Sequence, residues 1–453
     1  MRWLFVLLIW VIASSDILGK DMSLGPGLSP KNAVLYMIAL AMFFRVALSG
    51  NGLRMKLPML QAAFAVWIVY ATLSFVTCCV IVHYAAYNIV VSGILLKAQL
   101  FDAALFCFTV FYALQDEADF KSLIKTLVAA IGVSSVLTLT DVAGLTHLGS
   151  KVGTEGGEAD RVFGMFGHAN ETGAMLVCIL PVMLAVAVNS RGAARLAWYG
   201  GAFFTLAVLI LTVSRGAYVG FILGYGAACF ICRRYIPVSK VASWLVGGLA
   251  AALVLCVLVS VVEPRVGDVV LSRLTGQSSA VDMSEVSSGR TNIWANTISH
   301  MMGDPWTFIT GYGWNVYDTR FVFATHNYYL DLLFNLGIIG LSAFLAILYQ
   351  AAASARRAMD DASPEMRPYM IALVFGVLGL GVSIMFTNLS KPWPYIWLYF
   401  GMTLSMAGAI LARSERKEAA EIPLAGPAIK VARGGQSPAP VPRRRGPLAP
   451  AGR

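Results

Sequence analysis

Apolar runs long enough to cross a lipid bilayer follow one another along this chain with only short polar breaks, and that leaves few folds open. Backbone inside a hydrocarbon core of ~30 Å must satisfy its own N–H and C=O groups, so each run of roughly 20 residues reads as a spanning helix. Candidate spans fall at 3–19, 32–49, 57–82, 98–114, 122–143, 170–189, 196–213, 216–232, 241–262, 327–350, 368–388 and 393–412. Composition agrees, with 58% hydrophobic and 13% charged residues among 453, against about 25% charged in a soluble domain. The expected fold is all-α, a polytopic integral membrane protein of about 12 transmembrane helices. The first run, with Met1-Arg2 ahead and Ala13-Ser14-Ser15 behind, has the look of a signal peptide. A retained anchor is preferred, because the chain passes directly into further spans. The stretch 84–97 either extends the third span or lies in the interface.

Charge sets the orientation. With the N-terminus inside, the internal connections hold Arg54 and Lys56, Lys121 and Lys125, Arg191 and Arg195, Arg233, Arg234 and Lys240, and Arg356, Arg357 and Arg367. The external ones hold only Lys20, Lys31, Lys97, Lys151, Arg161, Arg215 and Lys391. Excess lysine and arginine marks the cytoplasmic side, so both termini are expected there. The net charge of +10 resides in these connections and in the tail, and calls for no nucleic-acid partner. The tail, 414–453, is rich in Pro, Gly and Arg and is expected to be disordered. It either rests on anionic lipid or merely solubilises. All seven cysteines lie in apolar runs, so no disulfide framework is indicated. Cys229-x-x-Cys232 has no companion pair and reads as small apolar residues.

One polar interruption stands out. Residues 263–325 carry Glu263, Arg265, Asp282, Arg290, Asp318 and Arg320 with the aromatic stretch Trp306-Thr-Phe-Ile-Thr-Gly-Tyr-Gly-Trp314. Thr325-His326-Asn327 then opens the next apolar run. The orientation above puts Arg161, His168, Asn170, Arg215, Arg290 and His326, from four separate segments, on one external side. Arg215 sits in a tight turn, Val213-Ser214-Arg215-Gly216, with no acidic neighbour in sequence. It either snorkels or caps the preceding helix, or clamps an anion through paired guanidinium hydrogen bonds. Arg290, in Ser288-Gly289-Arg290-Thr-Asn-Ile-Trp294, is either a solvated loop residue or part of a phosphate seat at a helix start. His326 is either a satisfied interfacial residue or a base for a sugar hydroxyl, with Asn327 orienting it or binding sugar. Asn170-Glu171-Thr172 is a good helix start in its own right. Gly311-Tyr-Gly-Trp314 suits stacking on sugar rings and equally a packed turn. No His-Glu-x-x-His motif, cysteine pairs or carboxylate cluster supports a catalytic metal.

Taken together, Arg161-x-x-Gly164 with Asn170, Ser214-Arg215-Gly216, Ser288-Gly289-Arg290, Gly311-x-Gly313 and His326-Asn327-x-x-Leu330 with Gly337 and Gly340 resemble the O-antigen ligase and O-antigen polymerase superfamily of bacterial membrane glycosyltransferases. The likeness covers residues 160–345 of a membrane domain running from 1 to 413. Relatives often carry a proline directly before the asparagine, where this chain has His168-Ala169. The resemblance implies a helical fold of the lipid-sugar glycosyltransferase (GT-C-like) type in the bacterial inner membrane, with a large periplasmic loop and a periplasmic site. The implied donor is a glycan on undecaprenyl pyrophosphate, and the acceptor a hydroxyl of lipid A core or of a growing polysaccharide. Arg215 and Arg290 would hold the pyrophosphate, and His326 would serve as base, with inversion at the anomeric carbon. Arg161, Asn170, Asn327 and Trp314 are the candidate substrate contacts. No metal, cofactor or nucleotide sugar is implied, and other envelope-polysaccharide assembly proteins are candidate partners. The ligase label is placed ahead of the capsular or exopolysaccharide polymerase. The competing class, a transporter or flippase, predicts charges deep in several spans, where Arg45 and Asp102 are the main candidates.

Overall fold

A computed structural model describes residues 1–18, 25, 27–49, 56–84, 86–114, 116–146, 148, 152–155, 158–236, 289–390 and 392–421, with isolated positions 247, 250, 254 and 257. The expected span 241–262 and the loop up to 288 thus lie outside the described stretches. The described residues up to 414 belong to one compact unit. Eight described helices are long and apolar enough to cross a membrane, and two shorter apolar ones accompany them. The fold is all-α and polytopic. A two-stranded antiparallel hairpin, β1 (Val152–Glu155) and β2 (Glu158–Val162), is the small exception among the described residues.

The helices are α1 (Arg2–Leu18), α2 (Pro30–Ser49), α3 (Pro58–Val82), α4 (Ile89–Ala113), α5 (Glu117–Val142), α6 (Ala169–Val188), α7 (Gly192–Leu211) and α8 (Arg215–Ile231). After the undescribed stretch come α9 (Arg290–Met302), α10 (Tyr328–Asp361), α11 (Arg367–Ser383) and α12 (Trp393–Glu421). Asn88 settles the ambiguous stretch 84–97: its side chain accepts from the Val91 amide at 3.0 Å and starts α4 there. Lys97 is therefore inside a helix rather than in an external connection. Its ammonium is 2.8 Å from the Asp102 carboxylate, which also accepts from Tyr36 at 2.6 Å. Residues 414–421, expected in the disordered tail, continue α12. Glu, Arg, Lys and Ala are strong helix formers there.

Side-chain contacts sort the connections onto two ends of the bundle. At one end Arg2 pairs with Asp119, Lys121 with Glu365, and Arg413 with Glu117, while Asn189 donates to the Glu365 carbonyl. Lys56 caps the end of α4 through the Leu114 carbonyl at 3.3 Å and touches Ser405. Burial pushes this ammonium's pKa down. At the opposite end Tyr395 donates to the Asp16 carboxylate at 2.8 Å, and Glu171, Ser214, Thr325 and Asn388 meet their partners, as described below.

Two close approaches fix α8 and α10. Gly220 and Gly224, with Gly216 before them, form a stripe of small residues against α11, and a methyl group at Gly224 would lie 2.6 Å from the Gly379 Cα. In α10, Gly337 breaks the helix at φ 60°, ψ −167°. The Phe334 and Asn335 carbonyls accept there from Tyr312 (2.8 Å) and Gly313 (2.9 Å). Gly311, at φ 75°, ψ 171°, faces the same crossing. The described part of the long polar interruption is thus packed against α10 about 13 Å below its start, around an aromatic cluster in which Phe334 stacks on Tyr312 at 4.5 Å.

Candidate active site

Helix starts converge at the end away from the basic connections. His168 caps α6, accepting from the Glu171 amide at 3.4 Å. Ser214 caps α8, so Arg215 is its first residue. Arg290 is the first residue of α9, and Asn327 caps α10 by accepting from Tyr329 and Leu330, both at 3.1 Å. Each helix start presents amide N–H groups and the positive end of its dipole.

Contacts close these starts into a ring. A Cβ on Gly173 of α6 would lie 2.7 Å from the Ala217 Cβ, so α6 and α8 touch at their first turns. Gly216 abuts the Cβ of Phe386, and the Phe386 ring packs on Trp294 of α9 at 6.5 Å. The Trp294 indole N–H donates to the Thr325 carbonyl at 2.8 Å. The Thr325 hydroxyl reaches Asn388 Oδ1 at 3.0 Å. Ser390 closes the circuit by donating through its amide and its hydroxyl, each at 3.0 Å, to the Glu171 carboxylate. Tyr328 is tied to the Ile384 carbonyl at 2.9 Å. The strap 384–390 between α11 and α12 therefore touches every member of the ring.

Two turns of the ring hold strained backbone. Val213, directly before the Ser214-Arg215 pair, has φ 49°, and His326 has φ 48°. A non-glycine residue in the left-handed region costs about 1–3 kcal/mol and persists only where its surroundings over-determine it. Around His326 those surroundings are the buried Thr325 and the capping Asn327.

Of the sequence-derived candidates, Arg215, Arg290, His326, Asn327 and Asn170 belong to these converging segments. Arg215 is exposed, Arg290 and His326 are half-buried, and Asn170 is buried in the first turn of α6. Arg161 lies on β2 opposite Gly153; its side chain is outside the described set. Gly164, at φ 65°, packs on Thr172, whose hydroxyl donates to the Phe163 carbonyl, and this joins the strand to α6. Trp314 is corrected. It is 5% exposed, its indole donates to the Ser92 carbonyl at 3.1 Å, and its own carbonyl accepts from Tyr87. An apolar ring with its one donor satisfied packs inward, so of the two readings of this turn the packed one holds. The strap residues Phe386, Asn388 and Ser390 went unnoticed in sequence, since a short polar break between two spans carries no motif.

Residues 200–345 match the family model described as O-antigen ligase. Over this stretch the chain carries a domain similar to the O-antigen ligase family. The match contains Arg215, Arg290, His326 and Asn327 and begins after Arg161 and Asn170, so it is narrower than the region 160–345 expected from the motifs. Comparison with curated proteins finds no match. At the level the family supports, the chain is a multi-pass membrane enzyme of the ligase or polymerase glycosyltransferase type.

Proposed function

We propose that this ligase-type domain transfers a glycan from undecaprenyl pyrophosphate to a sugar hydroxyl at the periplasmic face of the inner membrane. The observation that carries the reading is the convergence of four helix starts, two of them opening on arginines and the other two preceded by His168 and by His326-Asn327, away from the basic connections. The excess of lysine and arginine at the other end supports a cytoplasmic placement of that end.

The chemistry needs a seat for a diphosphate. Helix N-termini and guanidinium groups both favour an anion, and charge that grows on a leaving group is stabilised most by donors already in place. In this reading Arg215 and Arg290 hold the pyrophosphate. His326 takes the proton of the acceptor hydroxyl, or orients it, as the oxygen attacks the anomeric carbon. The bond from that carbon to the pyrophosphate oxygen breaks, the electron pair leaves with undecaprenyl pyrophosphate, and the anomeric centre inverts. Asn327 uses its carbonyl oxygen as the helix cap, which leaves its amide N–H groups for sugar. Asn170 and Arg161 are assigned to substrate binding.

Purified protein in detergent is given undecaprenyl-pyrophosphate-linked oligosaccharide with lipid A core or, separately, further lipid-linked repeat units. Transfer to the core makes it a ligase, the reading preferred here; a ladder makes it a polymerase. Arg215→Ala and Arg290→Ala each lower transfer by about 10²–10³-fold, and His326→Ala lowers it to a measurable residual rate. A chelator leaves the rate unchanged. Wild-type transfer by both arginine variants refutes the anion seat.

A further inference from the structure

Trp294 is a part of the sequence motif after Ser288-Gly289-Arg290 to which the reaction above gives no role. It lies four residues after Arg290, so the two share a helix face. Its indole N–H donates to the Thr325 carbonyl at 2.8 Å, and its ring rests on Phe386. The Thr325 carbonyl and the His326 amide belong to one planar peptide unit, so holding that carbonyl holds one side of the rotation about the His326 N–Cα bond. The other side is held as well. The Asn327 amide, part of the next peptide plane, donates to Thr325 Oγ1 at 3.3 Å, and that hydroxyl is itself 3.0 Å from Asn388 Oδ1. Both planes flanking the His326 Cα are therefore pinned, and the residue between them keeps φ at 48°.

From this geometry we infer that Trp294 is a positioning residue: it fixes the backbone of His326 in its left-handed turn and sets it relative to Arg290 on the same helix. The inference rests on the roles given above to His326 and Arg290. Because α9 carries both Arg290 and the donor that holds the His326 turn, the anion seat and the base move as one unit when that helix shifts. A ring alone would not do this. Phenylalanine at 294 retains the contact with Phe386 but cannot donate, and the Thr325 carbonyl then has no indole partner in a residue closed to solvent.

The test compares wild type, Trp294→Phe, His326→Ala and the double variant in the transfer assay, with hydrogen–deuterium exchange on the same detergent-solubilised samples. Trp294→Phe is expected to lower kcat about tenfold or more while the donor KM stays within about twofold, because binding groups remain and the base is misplaced. In the His326→Ala background the same change is expected to add little further loss. Peptides covering 322–330 exchange faster in Trp294→Phe, and those covering 338–350 do not. A wild-type kcat, a loss confined to KM, or full additivity with His326→Ala overturns the inference. Unchanged exchange at 322–330 overturns it too, and that readout needs no turnover. Absence of transfer by wild type, alongside faster exchange at 322–330 in the variant, instead rejects the transfer reaction and leaves the backbone coupling standing.

Discussion

Gly337→Ala is the sharpest probe of how this domain holds its site. At φ 60°, ψ −167° the residue occupies a region open almost only to glycine, and a Cβ there would overlap the Ile309 carbonyl. The backbone strain is about 1–3 kcal/mol, and forcing a methyl group into a packed crossing adds about 1–3 kcal/mol. The crossing is relieved only if the segment around Gly311 retreats, and then the bonds from Tyr312 and Gly313 to the Phe334 and Asn335 carbonyls go with it, at about 1 kcal/mol each. The expected total is about 4–8 kcal/mol, a large part of the stability of an ordinary domain. Thermal unfolding in detergent, followed by thiol labelling or tryptophan emission, reads it as a drop in Tm, and transfer falls because α9 and the His326 turn are carried by the displaced segment. Gly200→Ala is the control, since nothing lies within 4 Å of the added methyl group in α7; it is expected to be neutral or mildly stabilising. A Gly337→Ala protein with wild-type Tm and full transfer would refute the account of the crossing.

Two further outcomes test the fold. Lys97→Met leaves the Asp102 carboxylate, 4% exposed, without its ammonium partner. It is expected to destabilise by about 3 kcal/mol, at the low end because the lysine side chain is 32% exposed, and Asp102→Asn in the same chain should recover part of the Tm. Lys56 supplies the pH test. Its folded-state pKa is pushed below the ordinary lysine value by burial, so in the alkaline window between the two values the unfolded chain binds more protons and stability rises with pH. The Tm difference between wild type and Lys56→Gln should shift in favour of wild type as pH rises through that window; a difference flat with pH removes the buried-ammonium account.

What was legible in the sequence was whatever depends on period and end chemistry. Apolar runs of spanning length mark helices because hydrocarbon offers the backbone no partner, but the starts at Asn88 and Asp116 lie several residues ahead of the apolar runs and emerge only with the caps those side chains form. That Arg215, Arg290 and His326 share the end away from the lysine- and arginine-rich connections followed from the order of the spans, because that charge bias is a property of loops and needs no tertiary contact. Lys97 misled for the same reason: a lysine between apolar stretches counts as a loop until Asp102 and Tyr36 are brought to it by packing. Trp314 misled because an aromatic beside glycines is as good for a sugar as for a turn, and only the Ser92 carbonyl decides. The strap was illegible because its residues are ordinary ones, and their meaning comes from touching α6, α8, α9 and α10 at once. The glycines were visible as punctuation, but their work is to let carbonyl meet amide at Gly337 and helix meet helix at Gly224. In this chain the arginines and histidine proposed for the site announce themselves by lying at the end opposite the basic connections. The residues that hold them in place are distributed through apolar spans and short breaks, where composition is uniform and only contact distinguishes one from another.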